Sequence, residues 1–156
     1  MEDVPFVRIA ELGKGGFGFV DRVVSTLSYT EYARKLISRG RTFKKNMEVL
    51  RDFENELATL KKLSHKHIVQ LKGSYTDPKF VGILMSPIAD CNLKEFLQQS
   101  SLSQESRSIL RTYFGCLAAA LCYLHENHIR HKGVKPENVL VKGHTVYLTD
   151  FGISLD

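Results

Sequence analysis

The sequence predicts an α+β chain: a mostly antiparallel five-stranded sheet carrying one amphipathic helix, then a mainly helical segment. Three observations predict it. Short β-branched and apolar runs alternate with Gly, Asp and Pro turn signals over roughly the first 85 residues. Within that stretch one stripe has helical spacing, formed by Met47, Leu50, Phe53, Leu57 and Leu60. A second, longer stripe of Leu110, Tyr113, Leu117, Leu121 and Leu124 comes only after the strands. With 156 residues, 43% hydrophobic and 25% charged, the chain has the bulk of one compact domain or of a piece of a larger one.

Taken in order, Phe6 to Leu12 ends in a glycine cluster and Phe17 to Ser25 follows with Val20, Val23 and Val24, which reads as two strands about a glycine-rich turn. Tyr32 to Ile37 makes a third strand and carries Lys35. On the helix that follows, Glu56 lies beside Leu60, since four residues make nearly one turn, so its carboxylate is expected near the buried face. Ile68 to Leu71 and Phe80 to Met85 surround the turn signal Thr76-Asp77-Pro78 and complete the five strands. Asn92 to Gln99 reads as a short helix. Ser101 with Gln104 reads as the capping-box start of a long helix, whose Ala118-Ala119-Ala120 run predicts close packing against neighbours. Val139 to Val141 and Thr145 to Thr149 read as two short strands about the Lys142-Gly143-His144 turn.

Composition narrows the function classes. The start Met1-Glu2-Asp3-Val4-Pro5 is acidic, and no stretch approaches the ~20 apolar residues of a bilayer span, so no membrane partner is expected and the expected compartment is the cytosol or the nucleus. Cys91, Cys116 and Cys122 have no CxxC spacing and leave one unpaired in any disulfide scheme, which fits buried, reduced thiols. The net charge of +5 is partly concentrated in Arg34, Lys35, Arg39, Arg41, Lys44 and Lys45. Such a run can attract nucleic acid, but with Phe43 as its one aromatic partner it reads as a solvated, mobile loop, and nucleic acid is not an expected partner.

The chemistry lies in ordered motifs. Gly13, Gly15 and Gly18 in Gly13-Lys14-Gly15-Gly16-Phe17-Gly18-Phe19-Val20 form G-x-G-x-x-G, a pattern that dinucleotide-binding folds share. There the glycines open a helix, whereas here they lead into a β-branched run. In a strand–loop–strand setting, glycines let backbone N–H groups approach phosphates with no Cβ in the way. Ala33-Arg34-Lys35, Glu56, Met85-Ser86-Pro87-Ile88, His131-Lys132-Gly133-Val134-Lys135-Pro136-Glu137-Asn138 and Asp150-Phe151-Gly152 follow in order. On these motifs the chain resembles the eukaryotic protein kinase family, of Ser/Thr type, from Leu12 to Gly152.

The resemblance implies a division into an N-lobe at about 1–85, a hinge at 86–91 and the start of a C-lobe at 92–156. It implies ATP and Mg²⁺ as ligands. Leu12, Gly13, Lys14, Gly15, Gly16, Phe17 and Gly18 would cover the phosphates; Val20, Ala33 and Leu140 would enclose the base; Met85 would gate the back of the pocket. Ser86 C=O and Ile88 N–H would bond the adenine edge. Lys35 would hold the α- and β-phosphates while paired with Glu56, Asn138 and Asp150 would hold the metal, and Lys135 would neutralise the transferring phosphoryl group. Leu60, Leu71, His131 and Phe151 match a stacked column linking the lobes. Taken singly, a lysine in a strand or a glutamate on a helix is an ordinary surface group, and only the joint order raises the functional reading.

His125, His128 and His131 recur every third residue, but no carboxylate or cysteine completes a metal shell, and polar groups are favoured where a long helix ends. No G-x-S-x-G elbow argues for a hydrolase. Two departures from the family pattern shape the expected function. Gly133 stands where the family keeps the aspartate that orients the accepting hydroxyl, a loss typically worth about 10²- to 10⁴-fold in rate. Lys132 replaces the arginine common before it. The family pattern also stops after Asp150-Phe151-Gly152, so a shortened kinase domain is expected, with weak or absent transfer. The alternatives are a pseudokinase that binds a protein partner through its sheet, its glutamate-bearing helix or its exposed long helix, with nucleotide serving only to close the lobes, or a non-functional gene fragment.

Overall fold

The computed structural model describes residues 4–15, 18–99 and 103–152, so the expectations for Gly16, Phe17 and Ser101 lie outside the described residues. The chain divides into two compact units, Met1–Ala58 with Leu71–Ile88, and Thr59–Gln70 with Ala89–Asp156.

The first unit is built on a five-stranded sheet in the order β1-β2-β3-β5-β4, with β1 Phe6–Gly15, β2 Gly18–Ser25, β3 Glu31–Ser38, β4 Gln70–Thr76 and β5 Phe80–Ser86. β2 and β3 run antiparallel without a break from Phe19↔Leu36 to Val24↔Glu31, and β3 pairs β5 from Ala33↔Met85 to Ser38↔Phe80. The β1–β2 ladder is less regular, with register shifts between Arg8 and Ala10 and between Glu11 and Gly13. Helix α1, Phe43–Lys62, starts where the Thr42 Oγ1 accepts from the Lys45 N–H, and ends in Lys61 and Lys62, cations suited to a helix C-terminus. Its Phe53 and Leu57 are buried, as are Val23, Leu36, Val81 and Ile83 of the sheet.

The basic run departs from the expected mobile loop. Arg34 and Lys35 are in β3, and Lys44 and Lys45 open α1. Arg34 forks onto Asp21, Lys35 pairs with Glu56, and Arg39 donates to the Asn46 side chain and the Asp77 carbonyl. Intervening apolar residues, Leu36 above all, draw the segment into the sheet, and the charges find partners there.

In the second unit, a three-stranded sheet β6-β7-β8 (Cys91–Asn92, Val139–Lys142, Thr145–Leu148) lies with α2, Leu93–Gln98, and α3, Gln104–Glu126. A full capping box starts α2: the Asn92 side chain accepts from the Glu95 N–H, and Glu95 reaches back to the Asn92 N–H. α3 is capped by Ser103, whose side chain accepts from the Ser106 N–H. Tyr113 is buried and its hydroxyl donates to the Gly143 carbonyl at 2.8 Å, fixing α3 to the β7–β8 turn.

The α3 stripe is buried unevenly. Leu124 and Ala120 are fully enclosed, Leu110, Leu117 and Leu121 are half-buried, and Phe114 is 77% exposed. Ala118 and Ala119 are exposed, contrary to the close packing expected of the alanine run. The strand expected at Ile68 to Leu71 is also shifted, to Gln70–Thr76. The cause is competition for backbone groups: Val69 N–H donates to Leu148 C=O and Leu148 N–H to His67 C=O, so Ile68 bridges to β8 of the second unit. Ser64 N–H donates to the Tyr123 hydroxyl and His65 stacks on the Tyr123 ring, which ties this segment to α3.

Candidate functional site

Strand alternation puts Ala33 and Lys35 on one face of β3 and Arg34 and Leu36 on the other. On the Lys35 face, α1 presents Glu56, and the Lys35 Nζ donates to both carboxylate oxygens at 2.8 and 2.9 Å. The Lys35 side chain is 18% exposed and that of Glu56 is 4%, so neither charge is a solvated surface group. The expected proximity of Glu56 to the buried face is met, and the pair fixes a cation at one height above the sheet.

Gly13, Lys14 and Gly15 close β1 and Gly18 opens β2, with Gly15 paired to Gly18, so the described glycines stand at the facing ends of two antiparallel strands rather than at a helix start. Space around them differs. A Cβ on Gly13 would meet nothing within 4 Å, whereas one on Gly18 would lie 2.0 Å from the Leu36 carbonyl. Gly18 is therefore required by the close approach of β3, a packing reason independent of any ligand. Val20 stands opposite Lys35 in the ladder, and Ala33 stands opposite Met85. Met85 and Ala33 are buried, Leu12 and Lys14 are exposed, and Ser86 and Ile88 are half-buried around a cis Ser86–Pro87 peptide.

The second unit gathers the remaining motif residues at one loop. Thr149 N–H donates to the Asn138 carbonyl at 3.0 Å, which brings Asn138 next to the residue before Asp150. Asn138 sits in a short 3₁₀ turn, Pro136–Asn138, and its side-chain amide donates to the Gly133 carbonyl at 2.8 Å. Gly133 is therefore held by its backbone although it presents no side chain. Lys135 is exposed, and the neighbouring Glu137 pairs with Lys94 at 3.0 Å. Leu140 is half-buried on β7. Asp150 adopts the left-handed region at φ 66°, as does Lys132 at φ 57°, conformations that a non-glycine residue rarely holds.

His131 organises this loop. It is fully buried, packs edge-on against Phe151 with ring centroids 4.9 Å apart, and its Nε2 bonds the Thr149 carbonyl at 2.8 Å. On its other edge, Nδ1 accepts from the Gly133 N–H at 3.2 Å. The ring thus spans the segment before position 133 and the segment before Asp150. Sequence reasoning placed His131 in a packed column and missed this two-sided hydrogen bonding. It also missed the Asp21–Arg34 pair, whose one signal was a pair of charges inside otherwise apolar strands. His125 and His128 are exposed, and among the described residues no group of three or more His, Cys, Asp or Glu is placed to hold a metal ion.

Comparison with known proteins decides what this assembly belongs to. Residues 6–156 match the family model for the protein kinase domain. The chain belongs to the protein kinase family. A probable serine/threonine-protein kinase of Dictyostelium discoideum is 33% identical over 157 residues, covering 96% of this chain and 22% of its own length. Serine/threonine-protein kinase 32C of Homo sapiens is 32% identical over 158 residues, covering 98% of this chain and 32% of its own length. Serine/threonine-protein kinase 33 of Bos taurus is 29% identical over 154 residues, with 92% and 31% covered. The chain thus spans between a fifth and a third of these curated relatives. No helix among the described residues is long and apolar enough to cross a membrane.

In this protein kinase domain His131 also carries a pH signature. Burial pushes its pKa below the ordinary value, against smaller opposing effects of the Thr149 bond and Asp150. The folded state therefore favours the neutral ring, while the unfolded chain takes up a proton near the ordinary ~6.5. The stabilisation is intact above that pH and is lost as pH falls through it toward the lower folded value. Chemical denaturation at pH 7.5 and 5.5 should show the loss on acidification, and His131→Phe should reduce it; an unchanged loss would assign it to other groups such as His65, whose pKa burial also lowers.

Proposed function

We propose that this chain binds ATP with Mg²⁺ and, having glycine at position 133, transfers phosphate to Ser or Thr hydroxyls slowly or not at all. The observation that carries the reading is the Lys35–Glu56 pair, a cation anchored at both carboxylate oxygens and shielded from solvent. Held this way, Lys35 needs no reordering to meet α- and β-phosphates. Backbone N–H groups of the glycine-rich segment would meet the phosphates, with Leu12, Val20, Ala33 and Met85 around the base and Ser86 and Ile88 at its edge.

Asn138 and Asp150 fit a magnesium ion by chemistry: both offer hard oxygen donors, and the Thr149-to-Asn138 hydrogen bond keeps their segments together. The Asn138 amide nitrogen is committed to Gly133, so a cation would meet its Oδ1. Bound there, the ion would neutralise charge on the phosphates. The residues themselves then supply positioning and electrostatics: Lys35 orients the nucleotide, Lys135 lies exposed beside the loop, and His131 holds the loop's two strands of chain together. What is missing is a group at position 133 to orient a hydroxyl.

A second reading, a nucleotide-responsive binding scaffold, is favoured by that same loop. Asn138 and His131 keep the backbone of Gly133 in a fixed arrangement that offers no acid or base. In this reading the exposed face of α3 near Phe114 would meet a protein partner.

Thermal unfolding with and without ATP and Mg²⁺ tests the nucleotide reading. Ligand at ~100 times its dissociation constant adds about 2.7 kcal/mol, a rise of several degrees for a chain of this size. The rise should require magnesium and vanish in Lys35→Ala; no rise in the parent would contradict nucleotide binding. Gly133→Asp should keep the rise and increase Mg²⁺-dependent phosphate transfer by about 10²- to 10⁴-fold. Equal transfer by the two proteins would show that position 133 is not what limits it.

A further inference from the structure

A polar clamp crosses the sheet on the face opposite Lys35. Asp21 of β2 is fully buried. The Arg34 fork meets it twice, Nε to Oδ1 at 3.0 Å and Nη2 to Oδ2 at 2.7 Å. Arg8 of β1 approaches the same carboxylate at 3.5 Å, and the third Arg34 nitrogen, Nη1, donates to the Tyr75 hydroxyl of β4 at 3.2 Å. β5 lies between β3 and β4, and it admits this contact because it carries Gly82, where a Cβ would come within 2.6 Å of the Tyr75 ring. Phe6 of β1 stacks on Tyr75 at 5.9 Å and closes the clamp. All five strands thus take part.

Nothing in the proposed nucleotide chemistry needs a charge on this face. The geometry nevertheless couples it to Lys35. Asp21↔Arg34 and Val20↔Lys35 are consecutive rungs of one ladder. A slip of one residue would turn Lys35 away from Glu56 and put Arg34 in its place, since alternate residues face opposite sides. Apolar residues alone resist such a slip weakly here, because both faces of β3 contain aliphatic side chains, Ala33 on one and Leu36 on the other. A buried fork between two strands accepts one register only, and fixing register is the best-attested use of a buried ion pair. Burial opposes the charge on Arg34, yet Asp21 and Tyr75 outweigh it and hold the guanidinium above its ordinary pKa.

We propose that Asp21 and Arg34 are positioning residues that set the β2–β3 register and thereby the placement of Lys35 for nucleotide, with Tyr75 holding the third nitrogen of the Arg34 fork. The part concerning nucleotide rests on the function proposed above; the part concerning Lys35 does not.

The test replaces the pair by apolar residues of similar volume, Asp21→Leu with Arg34→Met, an exchange that tends to leave stability unchanged or raised. Two readouts are taken at matched thermal midpoint. The first needs no nucleotide: the rate at which an acylating reagent modifies Lys35 relative to Lys44 and Lys45, read by mass spectrometry. It should rise about threefold to tenfold as the Lys35–Glu56 contact loosens. The second is the ATP·Mg²⁺ dissociation constant, which should rise by a similar factor. Unchanged Lys35 labelling in a folded double variant would overturn the proposal and leave the pair a stability element alone. If the parent shows no nucleotide binding, the functional reading fails while the labelling arm still decides this one. Should the double variant not fold, Arg34→Lys, which keeps the charge and loses the fork, is measured the same way; parent-like labelling there overturns the proposal, and faster labelling supports it.

Discussion

Burial of a lysine against a glutamate is the constraint on which the first unit depends. Taking both charges out of water costs several kcal/mol per ion in effective terms, and only close, doubly bonded geometry offsets it. Lys35 meets both Glu56 oxygens, so α1 has to present its fourth turn to β3 and β3 has to present the correct face. The strand register, the helix start at Thr42 and the close approach of Gly18 to the Leu36 carbonyl are the local conditions that let the pair form.

In the second unit the corresponding role falls to hydrogen bonds rather than charge. His131 and Asn138 each join the chain around Gly133 to the chain before Asp150, one through its ring and one through its amide and carbonyl. Every bond that holds Gly133 uses its backbone. The loop therefore keeps its arrangement with no side chain at position 133.

Much of this was legible in the sequence. Glu56 was expected toward the buried face from its spacing to Leu60, and motif order pointed to the protein kinase family, which the comparisons bear out. Three features were not. The cap of α3 falls at Ser103, which stands three residues before Ser106 rather than before a Glu or Gln, so no capping-box pattern marks it. Ile68 reads as part of β4, but its neighbour Val69 bonds Leu148, a partner far along the chain that no local window reveals. Arg34 reads as part of a solvated, mobile basic loop, whereas it lies in β3 and takes Asp21 as its partner across the ladder. In the last two cases a non-local hydrogen bond overrode a sound local preference.

The central claim is that the ion pair, and not either residue alone, assembles the nucleotide site. A double-mutant cycle on ATP·Mg²⁺ affinity with Lys35→Ala, Glu56→Ala and both together measures this directly. The account predicts that each single change weakens binding and that the double change costs less than their sum, with a coupling of about 0.5–3 kcal/mol. Additive effects, or a Glu56→Ala variant that binds like the parent, would contradict it.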